Sequence, residues 1–192
     1  MNRKEEIVKS CKELYKTKKF EEINIKNIAE QTTFSRPSIY NYFQTKEEIF
    51  LEIIKEEYEL WGNDLDNLSK EKKMSKEEYA DKFSKILCKR TNLLKIQAMN
   101  MFDIEGSSRV ELLTEFKVVV KDTFSKMNQS LNIVDIKDKD KFIELLMPFI
   151  HGIYPFANVT DKQKKAMKDA GMEFKQIKMY DLVYDEIISL LG

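Results

Sequence analysis

Glycine and proline are scarce in this chain, five and three in 192 residues. Turns need both, so few turns are available, and the abundant Lys, Glu, Ile, Leu and Met favour long helices over a sheet. Only two cysteines occur, Cys11 and Cys88, far apart and outside any C-x-x-C. That excludes a disulfide framework and a cysteine zinc site. Both are expected to be reduced thiols packed as small apolar groups in a cytoplasmic protein. His151 is the only histidine, too little for a metal site or a Ser–His–Asp relay. There is no glycine-rich phosphate loop either. An enzyme is therefore not expected, and neither a cofactor nor a metal. The longest apolar runs, such as Leu145 to Ile150, are far short of the roughly 20 residues a spanning helix needs. No apolar segment follows the first charges, so neither a membrane partner nor a secretory signal is expected.

What is present concentrates in residues 25–44, IKNIAEQTTFSRPSIYNYFQ. Before it, Ile7, Cys11, Leu14 and Tyr15 form one stripe of an amphipathic helix ending near Lys18–Lys19. Phe20 then opens a short connection. Asn24 suits the N-cap of a second helix, with Ile28 and the small Ala29 turned inward. Ser35 suits the N-cap of a third, and Pro37 falls in its first turn, where a missing N–H costs nothing. Ile39, Tyr42 and Phe43 are candidates to close a three-helix core. Thr45-x-x-Glu48 is a capping box that starts the next helix. This order builds a helix-turn-helix.

The third helix keeps Arg36, Ser38, Tyr40 and Asn41 on its outside. A short helix fits the major groove, about 12 Å wide, where Arg pairs with guanine and Asn with adenine. Lys26, Ser35, Pro37, Tyr42 and Lys46 complete the candidate DNA-binding set. Ser and Tyr suit phosphate contacts, and Lys46 stands at a helix N-terminus that favours an anion. Net charge is zero, 33 basic against 33 acidic residues. Residues 1–20 nevertheless hold seven basic and three acidic side chains, placing a basic rim beside the reader.

Residues 3–55 resemble the DNA-binding domain of the TetR family of bacterial transcription regulators. The resemblance is carried by Ile7, Leu14, Tyr15, Phe20, Ile28, Ala29, Ser35, Ile39, Tyr40, Tyr42, Phe43, Lys46, Glu47 and Glu48, and above all by the run Ser-Ile-Tyr-x-Tyr-Phe-x-x-Lys-Glu-Glu. It implies a homodimeric, cytoplasmic repressor, bound to a palindromic double-stranded DNA operator and released by a small-molecule effector. Two positions depart from the family pattern. Thr33 stands where a turn glycine is usual, and a threonine at φ > 0 there is strained by roughly 1–2 kcal/mol. Either the turn takes another shape, with a slightly altered angle between the two helices, or the fold absorbs the strain. Lys19 likewise replaces the glycine that usually precedes the aromatic after the first helix, which opens the question of that helix's C-cap.

The expected fold is all-α, with about nine or ten helices. Residues 1–50 form the DNA-binding domain, its helix-turn-helix at about 25–44, and residues 51–192 form a helical effector-binding and dimerisation domain. A long linking helix places Phe50, Ile53, Ile54, Tyr58, Trp61, Leu65 and Leu68 on helical spacing. The polar stretch 69–76 interrupts it. Ser75-x-x-Glu78 caps a helix bearing Tyr79, Phe83, Ile86 and Leu87. Further helices are expected at Asn92–Glu105, ended by Gly106, and from a Ser108-x-x-Glu111 cap to Leu131. A helix over 140–154 is broken at Tyr154-Pro155-Phe156-Ala157. A Thr160-x-x-Gln163 cap starts a short helix in an insert, 155–171, and the last helix spans Phe174 to Leu191.

The two C-terminal helices are apolar on most sides, which calls for cover from a second copy in a four-helix bundle. Phe142, Leu146, Phe149, Ile150, Ile177, Tyr184, Ile188 and Leu191 are the expected dimer interface. The expected effector pocket draws on Trp61, Phe83, Met99, Phe102, Phe116, Phe124, Met147 and His151, for an apolar or aromatic ligand. The alternative function is a helical protein-interaction module without DNA binding. It would not require Arg36, Tyr40 and Lys46 on one open face.

Overall fold

A computed structural model describes residues 2–192 of the chain. Its α-helices, eleven among the described residues, are α1 (Arg3–Thr17), α2 (Ile25–Ala29), α3 (Arg36–Tyr40), α4 (Lys46–Ser69), α5 (Lys76–Cys88), α6 (Thr91–Met99), α7 (Met101–Gly106), α8 (Val110–Ser130), α9 (Lys139–Ala157), α10 (Asp161–Asp169) and α11 (Met179–Leu191). Short 3-10 turns lie at Phe20–Glu22 and Leu131–Ile133, and no strand occurs among the described residues. The all-α expectation holds. No single helix among them is long and apolar enough to cross a membrane.

The chain divides into two compact units. One holds the chain up to Glu59 together with Asn100–Lys121; the other holds Leu60–Met99 and Asp122–Gly192. In the first, Ile7, Val8, Cys11, Leu14 and Tyr15 bury one face of α1. The Tyr15 ring meets Phe50 edge-on at 4.9 Å, and Phe50 meets Phe20 at 4.8 Å. Such pairs add about 0.5–1.5 kcal/mol beyond their buried area. Burial pushes the Cys11 thiol up to about 12, although Lys46 pulls the other way. It is an inert core group, as expected of it.

In the second unit α5 packs on α11, and α6 and α11 pack on α9. Trp61, Phe83 and Phe142 form a chain of edge-to-face rings, each step 6.2 Å between centroids. Ser75 caps α5 through the expected box with Glu78, and Thr160 caps α10 through Gln163. Every position expected on the stripe of the long helix α4 is buried, Phe50, Ile53, Ile54 and Tyr58 in the first unit and Trp61, Leu65 and Leu68 in the second.

Several expectations about individual elements are overturned. The helix expected over 92–105 is two helices. Asn100 leaves the helical region (φ −139°, ψ −4°), and its side-chain oxygen accepts from the Tyr15 hydroxyl at 3.0 Å. Ser108 does not cap α8. The Leu113 N–H bonds the Arg109 carbonyl, so Arg109 takes the cap position, and the Ser108 hydroxyl donates back to Ile104. Pro155 does not break α9, which runs to Ala157 through both Pro148 and Pro155. The last helix starts at Met179, not Phe174. Residues 172–178 bury no side chain and nothing repays ordering them as helix. Tyr42 is exposed, whereas Ile39 and Phe43 are fully buried. The C-cap left open by Lys19 is Lys18, in extended conformation, its N–H bonded to Leu14.

The expected dimer residues divide. Phe142, Leu146, Ile150 and Leu191 are covered inside one chain, because they form the stripe of α9 and α11 that faces α5 and α6. They need no partner. Phe149, Tyr184 and Ile188 are half-buried and Ile177 is exposed.

Candidate DNA interface

The local geometry follows from caps. Asn24 accepts from the Asn27 N–H and Asn27 returns the bond to the Asn24 N–H, both at 3.0 Å, so α2 starts on a closed box. The turn into α3 is built without any left-handed residue: every described non-glycine residue has negative φ. Thr32 bonds back to Ala29 through both N–H and hydroxyl, and its hydroxyl accepts from the Phe34 N–H at 3.2 Å. Glu6 of α1 accepts from the Thr33 N–H. Thr33 therefore sits in a reshaped turn, and no strain is stored there. The Ser10 hydroxyl ties α1 to the Gln31 carbonyl at 3.2 Å.

Short α3 then presents its side chains outward. Ser35, Arg36, Pro37, Tyr40, Asn41 and Tyr42 are exposed and Ser38 half-buried. The Ser35 and Ser38 hydroxyls bond each other at 3.0 Å instead of capping a backbone N–H. A shallow groove of about 520 Å³ beside α3 brings Lys26, Arg36, Tyr40 and Lys46 together with Asn24, Gln44 and Thr45. The last three were not in the expected set. The sequence marks Thr45 and Asn24 as caps, and a cap residue at a helix start is also a polar group at an anion-favouring position.

Lys46 is more constrained than its sequence position suggests. Its ammonium donates to the Phe20 carbonyl at 2.7 Å and lies 4.1 Å from the Phe20 ring centroid. One of three N–H donors is used, and the charge is held at the groove. The basic rim of α1 is partly neutralised. Lys4 pairs with Glu52 at 2.9 Å, Lys12 with Glu56 at 2.5 Å and Lys16 with Glu13 at 2.7 Å. Lys9, Lys18 and Lys19 remain exposed.

Behind α3 lies a buried carboxylate. Glu48, 1% exposed as a side chain, accepts from Arg109 through Nε at 2.7 Å and Nη2 at 3.0 Å. It also accepts from the N–H of Gln44 at 2.7 Å. The Thr45 hydroxyl receives the Glu48 N–H at 3.2 Å, so the capping box forms in part: Glu48 turns to Gln44 rather than to Thr45. Burial alone would raise its pKa, but the Arg109 and Gln44 bonds outweigh that and hold it below the ordinary glutamate range.

Family models match nearly all of this chain. Residues 7–53 match the model described as bacterial regulatory proteins, tetR family, and residues 55–191 match the tetracyclin repressor-like C-terminal domain. The chain belongs to the TetR family. It is a DNA-binding transcription regulator. Two solved TetR-like structures share the fold. The fatty acid degradation regulator FadR from Bacillus halodurans has 15% identity and a TM-score of 0.65, with 100% of this chain and 96% of that one covered. The transcriptional regulator FadR from Bacillus subtilis, solved in complex with stearoyl-CoA, has 16% identity and a TM-score of 0.62, with 98% and 97% covered. No curated protein matches the chain.

The residues expected to line an effector pocket are divided between the two units, with Phe102 and Phe116 in the first and the others in the second. Trp61 and Phe83 are buried and in contact. Phe116 is buried in the other unit, edge-on to Tyr58 at 5.6 Å. Phe124 lines an open groove with Ile143, Asp140 and Glu144. Met147 is half-buried. Met99 and Phe102 are 57% and 92% exposed, and exposed His151 donates from Nδ1 to the Met147 carbonyl at 2.7 Å. Helical spacing alone does not distinguish a buried from an outward Met or Phe on short helices such as α6 and α7.

Proposed function

We propose that this chain is a homodimeric repressor, bound to a palindromic operator through α3 and released by an apolar small molecule. The observation that carries the reading is the exposed row Arg36, Tyr40, Asn41 and Tyr42 beside a groove holding Lys26 and Lys46. Arg36 and Asn41 supply base-edge donors and acceptors. Tyr40, Tyr42 and the lysines supply phosphate contacts. Functionally the boundary is near residue 50, with the effector and dimer functions in 51–192.

The effector reading rests on the apolar second unit. Trp61, Phe83 and Phe142 pack ring to ring, so a ligand entering there must separate them. It then binds a different conformation from the closed one, the condition for shifting the equilibrium away from the DNA-bound form. Of the expected lining residues, Trp61, Phe83, Phe124 and Met147 stay in the proposal. A similar fold was solved with stearoyl-CoA in the Bacillus subtilis protein, so long-chain acyl thioesters are the first effectors to test. For the dimer, the stripe left open on α9 and α11, Leu145, Phe149, Tyr184 and Ile188, replaces the buried one.

The test is a mobility shift of the full chain on DNA upstream of its own coding region, across a salt series, with and without an acyl-CoA. Salt-sensitive dimer binding to an inverted repeat, weakened by the acyl-CoA, is the expected result. Tyr42→Ala and Lys46→Ala should lower affinity with the fold intact. Binding that neither variant changes would favour a protein-interaction module instead.

A further inference from the structure

The turn that follows the reading helix is held from a point some sixty residues away. Only residues 41–45 separate α3 from α4. Within and beside that connector, the Tyr42 carbonyl accepts from Arg109 Nη2 at 3.3 Å, and the Gln44 N–H donates to Glu48 at 2.7 Å. The Thr45 hydroxyl donates to the Ser107 carbonyl at 3.4 Å. The Arg109 backbone N–H adds a bond to Glu48 at 3.3 Å. Residues 107–109 therefore grip the connector at the Tyr42 carbonyl and the Thr45 hydroxyl, and the first turn of α4 at the Glu48 carboxylate. They belong to the segment that matches the C-terminal family model, not to residues 7–53.

We propose that Arg109 is a positioning residue for DNA recognition, fixing the pose of α3 through Tyr42 and Glu48 without touching DNA itself. This rests on the reading of α3 as the operator-reading helix. A guanidinium is planar with donors in a fixed fork, so it sets a direction as well as a charge. Here it spends both Nε and Nη2 on the chain itself. Full transfer of the guanidinium to a DNA phosphate would strip Arg109 from a buried carboxylate, which is costly. Arg109 immediately precedes α8, so any displacement of that helix start is delivered to Tyr42 through a stiff link. Recognition by bidentate base contacts tolerates little misplacement.

The experiment compares full-length wild type, Arg109→Ala, Arg109→Lys and Glu48→Gln. The probes are the duplex that wild type selects from a random library and an unselected duplex of equal length. Arg109→Ala is expected to lose about tenfold or more on the selected duplex but under about threefold on the unselected one, with an unchanged salt slope. Without DNA, amide exchange at Gln44 should accelerate in the same variant. Arg109→Lys should recover part of both effects, and it carries the comparison if Arg109→Ala does not fold. Equal losses on both duplexes with a shallower salt slope would make Arg109 a phosphate contact and overturn the proposal. Unchanged Gln44 exchange would overturn it too. If wild type selects no duplex, the DNA-reading proposal fails and this one with it, while the exchange data still report whether the latch holds the connector.

Discussion

Glu6 on α1 accepts from both the backbone N–H of Thr33, at 3.2 Å, and its hydroxyl, at 3.3 Å. The turn of the reader is thus closed by a carboxylate from another helix, and no glycine is required. Replacing Thr33 with the glycine usual in the family should therefore destabilise this protein. It frees the unfolded chain and deletes the hydroxyl bond, together about 0.5–1 kcal/mol. Urea unfolding midpoints check this. A gain in stability would mean that the turn does sample φ > 0.

Acid should weaken the buried Glu48 pair. The folded pKa of Glu48 lies below its unfolded value, so its contribution is complete above the ordinary glutamate pKa of about 4.3 and is lost as pH falls through the lower folded value. Wild type should be more stable than Glu48→Gln at neutral pH, with the gap narrowing below about pH 4. A gap that stays constant down to pH 3 would place the effect in packing, not charge. Equilibrium unfolding at stepped pH measures it.

The two capping boxes at Ser75 and Thr160 have the same local geometry and should have different consequences. Helix α5 buries Tyr79, Phe83 and Leu87 and packs on α11. Ser75→Ala should lower global stability by about 1 kcal/mol. Helix α10 has no buried residue. Thr160→Ala should leave the melting temperature unchanged and only speed amide exchange within 161–169.

Neighbouring leucines on α9 should separate folding from association. Leu146 is fully buried and Leu145 is 46% exposed. Leu146→Ala should cost about 2–5 kcal/mol of stability. Leu145→Glu should shift sedimentation toward monomer at a given concentration. A Leu145→Glu protein that stays dimeric would remove the open α9–α11 stripe as the interface.

The elements most legible in the sequence were those with a cap and a repeating stripe. The Asn24, Ser75 and Thr160 caps, the long α4 and the reader itself all announce themselves through local chemistry. What stayed hidden depended on distant partners. Nothing near Arg109 points to Glu48, because the pair spans 61 residues and is made only when the fold brings α4 and α8 together. The two-helix break at Asn100 was hidden for the same reason, since the Tyr15 hydroxyl comes from α1. Pro155 misled because a proline near a helix C-terminus loses only one late hydrogen bond. The all-round apolarity of α9 was real, but a single chain covers Phe142, Leu146 and Ile150, and only the other stripe is left for a partner.

Residues 158–178 bury no side chain, and among them Gly171, just past the end of α10, is held at φ +72°. Such a stretch contributes almost nothing to the folding equilibrium. It is therefore the place where the chain accepts foreign sequence. A fluorescent domain spliced in beside Gly171 is expected to leave both cores and the reader folded, so that the regulator carries a visible tag at no cost to its stability.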